Sequence, residues 1–402
     1  MHTLGKYLRV PMSFVVVVIT TACATAPPRN AVPQELVDKA TVPGLVAVRS
    51  WGDEAPRDFT TTLKTRLPNM GPLATAATRE NGHPVVNFLA LSGGGSDGAY
   101  GAGVLAGWTK AGTRPKFEVV TGISAGALIA PFAFLGPDYD RQLTELWTQY
   151  QTEDLLQPQL LTGLLGGAAV SDSAPMANLI AKYVDRRMLD RIAHQYRQGR
   201  MLLVGTHNLD AERFVVWNMG EIAYSRDPRA LDVFRQVLLA SASIPGAFPP
   251  VHITVTAGGQ RLEEMHVDGG ISKQVFLTPV QLSLREFDKF YPVPPIYRMF
   301  VIRNGKLTPE YEAVQASTVL IAARSLTALT KSQGRDDLYE IYSAATRDGA
   351  DFNLAAIPGD FKVPSNEVFD RTYMRALFKL GSEQGRRGYP WLKIPPELKR
   401  SR

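Results

Sequence analysis

Residues 117–135 read Phe-Glu-Val-Val-Thr-Gly-Ile-Ser-Ala-Gly-Ala-Leu-Ile-Ala-Pro-Phe-Ala-Phe-Leu. The centre of this stretch, Gly122-Ile123-Ser124-Ala125-Gly126, has the form G-x-S-x-G. An apolar run, Phe117 to Val120, precedes it, and an Ala-rich apolar run, Ala127 to Leu135, follows. That is the strand–turn–helix setting in which such a serine stands exposed at a sharp elbow. A serine hydroxyl is a poor nucleophile at neutral pH, so it must be exposed, oriented and supplied with a base. Gly122 and Gly126 let the backbone turn where side chains would forbid it. The helix expected over 125–135 aims its free N–H groups and positive dipole end at the reacting centre.

Upstream, Val85 to Leu91 reads as a buried strand, followed by Gly93-Gly94-Gly95-Ser96-Asp97-Gly98 and a small-residue helix over 99–111. A glycine loop between strand and helix bares several backbone N–H groups. Such a nest can stabilise a tetrahedral oxyanion, worth roughly 3–4 kcal/mol per donor. Downstream, the strand-like run Glu263 to Val267 leads into Asp268-Gly269-Gly270. Alone, that triplet reads as a turn; paired with the elbow, Asp268 is a candidate base. Its unperturbed pKa of about 3.9 is far from ideal, and burial would raise it. Gly93, Gly95 and Gly98 also satisfy G-x-G-x-x-G, the dinucleotide fingerprint, with Glu118 20 residues beyond as the ribose-binding acid. Glu118, however, lies at the start of the apolar run, and a nucleotide site needs no serine elbow, so this is the minor reading.

Histidine is the other candidate base. The chain has six: His2, His83, His194, His207, His252 and His266. An α/β-hydrolase triad places its histidine after the acid in chain order, and none follows His266. A rearranged triad using His266, two residues before Asp268, stays open.

Together these segments resemble the patatin-like phospholipase family. The resemblance covers roughly Asn87 to Gln281 and includes a further stretch, Ala240-Ser241-Ala242-Ser243-Ile244-Pro245-Gly246-Ala247-Phe248-Pro249-Pro250-Val251. It implies an α/β fold, a three-layer α/β/α sandwich around a central, mostly parallel sheet. It implies a Ser–Asp dyad with Ser124 as nucleophile and Asp268 as base, and no histidine. It also implies an oxyanion hole from the N–H groups of Gly93, Gly94, Gly95 and Ala125. The motif glycines are Gly98, Gly122, Gly126, Gly269 and Gly270. The chain departs from the family at two places. Asp97 stands where Arg or Lys is usual, and Ile271-Ser272-Lys273-Gln274-Val275 stands where small residues and Asn-Pro are common.

The N-terminus carries Lys6 and Arg9, an apolar stretch from Val10 to Ile19, and Thr20-Thr21-Ala22-Cys23. This is a charged n-region with an h-region too short to span a bilayer as a mature helix. Its end resembles a bacterial lipobox, with Thr20 in place of the usual Leu, and implies lipidation of Cys23. The protein is then expected in the bacterial cell envelope as a membrane-anchored lipoprotein. The alternative is an ordinary cut near Ala22 or Ala24, giving a periplasmic or secreted enzyme. The expected organisation is a signal peptide over 1–22, a tether and irregular segment over 23–84 and a catalytic core over 85–281. A C-terminal strand and helices over 282–402 pack on that core. Strands are expected at 85–91, 117–121, 201–207, 213–218, 250–256, 262–267 and 296–302. Helices are expected at 99–111, 125–135, 139–150, 175–198, 229–241, 311–331, 335–347 and 368–385. Leu155 to Ala169, apolar yet broken by glycines, reads either as a mobile lid over an acyl chain or as a core-covering loop.

The formal charge is +6, of which Lys6 and Arg9 lie in the leader, leaving +4. That balance suits an anionic lipid surface but is too modest to imply nucleic acid. No Cys/His spacing suggests a metal, and no cofactor is expected. The expected partners are a phospholipid or other acyl-lipid substrate and a membrane surface. Nothing in the sequence sets an oligomeric state. Three functions stand: a lipid acyl hydrolase of phospholipase A type, a general serine esterase or peptidase on soluble substrates, and a non-catalytic lipid-binding surface lipoprotein.

Overall fold

The computed structural model describes residues 29–45, 47–54, 78–158, 171–277 and 282–396. The leader, Cys23 and all but the first few residues of the Leu155–Ala169 segment lie outside them. Among the described residues the main sheet has ten strands: the two-residue Arg79–Glu80, which pairs with the start of β2, and β1 (Arg49–Trp51), β2 (His83–Leu91), β3 (Val119–Ile123), β4 (Met201–Asn208), β5 (Arg213–Asn218), β6 (Val251–Ala257), β7 (Gln260–Asp268), β8 (Ile296–Lys306) and β9 (Asp351–Ile357). The order is β1-β5-β4-β3-β2-β8-β9. From β4 to β9 neighbouring strands run parallel, while β5 and β1 extend the sheet antiparallel.

The sequence of β2 explains its central place. From Pro84 to Leu91 every residue is buried, as a parallel strand covered on both faces requires. Its alternate side chains serve two cores. Leu89 and Leu91, with Phe300 and Ile302 of β8, pack beneath the helices α1 (Gly98–Lys110) and α2 (Ala125–Leu135). Phe88 and Ala90, with Met299 and Val301, face the other way. The β6–β7 hairpin instead alternates buried and half-buried residues along its middle. It turns on Gly258-Gly259, both at positive φ (56° and 77°), as a tight hairpin loop demands.

Among the described residues the longer helices that follow are α3 (Asp140–Thr148), α4 (Ala174–Tyr183), α5 (Arg186–Arg197), α6 (Ala230–Ser241), α7 (Thr318–Asp348) and α8 (Arg371–Arg386), with short ones at Thr152–Leu155 and Met219–Tyr224. Leu338, Ile341 and Ala345 of α7 close the second core. Helix α8 lies on α1 with almost no side chain between them. A Cβ at Gly103 or Gly107 would meet the Phe378 or Ser382 carbonyl at 2.2 and 2.1 Å, and one at Gly381 or Gly385 the Tyr100 or Val104 carbonyl at 2.4 and 2.5 Å.

Several boundaries differ from the expected ones. The single helix expected over 175–198 is two, because the Asp185 side chain accepts the Met188 N–H (2.7 Å) and caps a new helix. The two helices expected over 311–347 are one, α7, which runs through Gly334; the guanidinium of Arg303 fills the space a side chain there would take. Strand β9 was not expected. Its Asp351 and Asn353 break the apolar pattern, and the buried Asn353 amide donates to the Asp351 carbonyl at 2.9 Å. Among the described residues no helix is long and apolar enough to cross a membrane.

Candidate active site

Ser124 follows the last residue of β3 and caps α2. Its backbone lies at φ 54°, ψ −125°, a conformation that side chains rarely adopt and that persists only where neighbours enforce it. Gly122 and Gly126 make the turn possible. A Cβ at Gly122 would meet the Gly126 carbonyl at 2.4 Å, and one at Gly126 the Leu91 carbonyl at 2.2 Å. The Ser241 hydroxyl holds the turn from the far side. It accepts the Ser124 N–H at 3.0 Å and donates to the Gly205 carbonyl at 2.7 Å.

The sheet register delivers Asp268 to the same point. Strand β4 pairs with β3 from Met201 to Gly205, where Gly205 faces Ile123. Where β3 stops, β7 takes over, pairing antiparallel with β4 from Asp268↔Thr206 to His266↔Asn208. The final residue of β7 therefore lands beside the elbow. The Ser124 side chain sits beside the Asp268 carboxylate and favours its charged form, and the Gly270 N–H donates to Asp268 Oδ1 at 2.7 Å. The Asp268 N–H donates to the Ser243 carbonyl at 2.9 Å. One stretch, Ser241 to Ser243, thus clamps Ser124 and Asp268 together. Burial pushes the Asp268 carboxyl up to about 7, against the opposing effect of Ser124 and the Gly270 N–H.

The glycine loop abuts the serine: a Cβ at Gly93 would lie 3.2 Å from the Ser124 Cβ. One expectation for this loop is corrected. The Gly93 N–H is already committed to the Gln274 carbonyl at 2.9 Å and cannot serve an oxyanion. The N–H groups of Gly94, Gly95 and Ala125 have no protein acceptor among the described residues. Gly94 (φ 157°) and Gly95 (φ 55°) take up the bend. The loop is anchored from β8: Arg303 Nη1 donates to the Gly93 carbonyl (3.0 Å), and the Asn304 amide donates to the Ser92 carbonyl (2.8 Å). At the far end of the loop, a Cβ at Gly98 would strike the Trp147 ring at 2.2 Å.

Gln274 was invisible to motif reading, yet it joins the two halves of the site. Its side-chain amide donates to the Gly270 carbonyl at 2.6 Å, its carbonyl holds Gly93, and its N–H donates to Asp337 Oδ2 at 2.6 Å. A Cβ at Gly269 would press on the Gly205 carbonyl at 2.7 Å, and one at Gly270 on Asp268 Oδ1 at 3.0 Å. The two departures from the family pattern have structural partners. Asp97 accepts the Tyr373 hydroxyl of α8 at 2.6 Å, and burial pushes it up to about 6. Lys273 pairs with Glu340 of α7 at 2.8 Å.

His266 is fully buried, with Nδ1 on the Thr206 hydroxyl (3.0 Å) and Nε2 on Glu264 (3.1 Å). Both ring nitrogens are engaged away from Ser124. His252 is exposed against Glu263, and His194 lies on an exposed helix face. Glu118 is buried and accepts the Asn87 N–H at 2.6 Å. Among the described residues there is no group of three or more His, Cys, Asp or Glu able to hold a metal.

Residues 89–280 match the family model described as patatin-like phospholipase. A comparison with curated proteins found no match. Among solved structures, the chain is similar to VipD from Legionella pneumophila, at 15% identity over 76% of this chain and 67% of that one, with a TM-score of 0.34. It is also similar to a complex of full-length SpcU with full-length ExoU from the type III secretion system of Pseudomonas aeruginosa. There the identity is 13%, over 76% of this chain and 52% of that one, with a TM-score of 0.29. The match spans the glycine loop, the elbow and the Asp-Gly-Gly turn, so the chain carries a patatin-like phospholipase domain over residues 89–280, and that family implies hydrolysis of lipid esters.

Proposed function

We propose that this protein is a lipid acyl hydrolase of phospholipase A type that works through a Ser124–Asp268 dyad. Asp268 takes the proton of the Ser124 hydroxyl as Oγ attacks the ester carbonyl. The tetrahedral oxyanion is stabilised by the N–H groups of Gly94, Gly95 and Ala125, at the positive end of α2. Collapse expels the alcohol, which receives the proton from Asp268, and leaves an acyl-enzyme. Water then attacks with Asp268 again as base, releasing the fatty acid.

The observation that carries this reading is the pairing of a strained, elbow-held Ser124 with a buried carboxyl raised to about 7, while His266 is engaged elsewhere. A base with a pKa near the working pH is well matched to the task. The test is the mature protein on mixed phospholipids, with products identified by mass spectrometry. Free fatty acid and lysophospholipid are expected. A fluorophosphonate should label the wild type and not Ser124→Ala. Equal labelling of both would place the nucleophile elsewhere, and labelling of neither would favour a non-catalytic lipid binder.

The envelope reading goes with it: Cys23 carries the lipid anchor. The leader's Lys6 and Arg9, its apolar run and the position of the single cysteine support this. Expression in a bacterium should give a detergent-phase protein with a diacylglyceryl group on Cys23. Soluble protein starting after Ala22 or Ala24 would sink it.

A further inference from the structure

Helix α7 has two unlike halves. Its C-terminal half is core, with Leu338, Ile341 and Ala345 buried on the sheet. In its N-terminal half the apolar side chains face water: Leu320, Ile321, Leu326 and Leu329 are 45%, 50%, 53% and 67% exposed. Scattered exposed leucines need no explanation, but a cluster on one projecting element marks a contact surface. Across 306–335 the chain carries four cations, Lys306, Arg324, Lys331 and Arg335, against two carboxylates, Glu310, which pairs with Lys306 and Lys331, and Glu312, which pairs with Arg324, so the segment keeps a net positive charge. From Ala313 to Arg335 there is no carboxylate at all.

This half-helix adjoins the candidate site. Just past it, the Gln333 side chain donates to the Ser272 carbonyl. One to two turns further, Asp337 accepts the Gln274 N–H and Glu340 pairs with Lys273. The helix therefore grips the loop that follows Asp268, and the exposed Ile271 of that loop adds to the apolar surface.

We infer that the N-terminal half of α7, with Ile271, is the element that docks the protein on an anionic lipid surface beside the active site. The inference rests on the acyl-lipid reading of that site and adds the direction from which the substrate arrives. Apolar side chains with interspersed cations are what an interfacial helix presents to anionic bilayers. A two-fold contact with a second copy would instead bring the same cations against themselves.

Cys23 is the only cysteine, so a full-length chain carrying Cys23→Ser and Leu326→Cys accepts one environment-sensitive dye on α7. With vesicles of phosphatidylcholine and phosphatidylglycerol, the dye emission should shift to the blue. Vesicles brominated in their acyl chains should quench it about twofold. Absence of both responses overturns the proposal. So does a response to rising protein concentration alone, which would mark a second copy as the occupant. This readout holds even if the protein hydrolyses nothing, so failure of docking and failure of the enzymatic reading are separable. In the active enzyme, Leu326→Gln with Leu329→Gln should leave turnover of a soluble short-chain ester unchanged. Hydrolysis of vesicle phospholipid should fall at least about tenfold. Equal retention or equal loss on the two substrates would overturn the proposal.

Discussion

Asp268 serves two opposed requirements. As the base of the proposed dyad it must be charged, and its burial penalises the charged form. Turnover should therefore rise with pH and level off above about 7, the range to which burial has pushed this carboxyl; an acid limb near 4 in kcat/KM would refute the assignment. The same shift makes Asp268 a stability liability. Below the ordinary carboxylate range both folded and unfolded states are protonated and nothing is lost. Between that range and about 7 the folded state holds a proton the unfolded chain has released, so stability falls as pH rises. Asp268→Asn should melt higher than the wild type at pH 8, with the gap closing as pH falls towards 4. Turnover should drop by at least about a thousandfold in Asp268→Asn and in Ser124→Ala, with the double variant scarcely worse. That Ser124 and Asp268 belong together was legible in the sequence because both stand in short motifs marked by flanking glycines. The parts played by Ser241, which stood in a quoted stretch without a role, and by Gln274 were not, because both reach backbone groups of distant segments, contacts that no motif spells out.

Among the elements, the glycine loop separates chemistry from packing. At Gly95 an added Cβ meets nothing within 4 Å, but φ is +55°, which costs a side chain roughly 1–2 kcal/mol. At Gly94 the Cβ would sit 2.1 Å from the Asn304 carbonyl, so the loop or β8 must shift. Thermal melts should show Gly95→Ala only modestly lowered and Gly94→Ala strongly lowered, with turnover impaired in both. The sequence disclosed the loop but not that Gln274 had claimed the Gly93 N–H, since that depends on a contact across the sheet. The buried chain of Arg49, Glu264 and His266 belongs to this scale as well. Arg49 Nη2 donates to Glu264 Oε1 at 2.8 Å, and Glu264 is almost wholly buried. Arg49→Ala should cost about 3–5 kcal/mol in denaturant unfolding by stranding that carboxylate. His266→Ala should destabilise too but keep measurable turnover; complete inactivity in a folded His266→Ala would restore the imidazole as base.

Taken as a whole, the molecule does not end where its motifs do. Every catalytic motif lies before residue 281, yet β8 and β9 supply two parallel strands of the sheet, and β8 anchors the glycine loop through Arg303 and Asn304. Helix α8 covers α1 through four glycines in close apposition. A chain ended at residue 281 should lack near-UV circular dichroism and a cooperative melt, and be cut rapidly by protease. A cooperative transition in that fragment would show that the C-terminal elements are dispensable. This dependence was hard to read from sequence, because β9 is interrupted by Asp351 and Asn353 and the α1–α8 contact is made by residues with no side chains to notice.

The abutment of β3 and β7 on one flank of β4 has a mechanical corollary. Strand β4 works as a gauge block: the spacing of Ser124 and Asp268 is set by consecutive rungs, Gly205 and Thr206, and the Ser241 hydroxyl at the end of α6 pins the Ser124 turn to the first of them. One extra residue between the two rungs would move Asp268 by about 3.3 Å and turn its side chain to the opposite face of the sheet. Such an insertion should silence the enzyme while removing none of its catalytic groups.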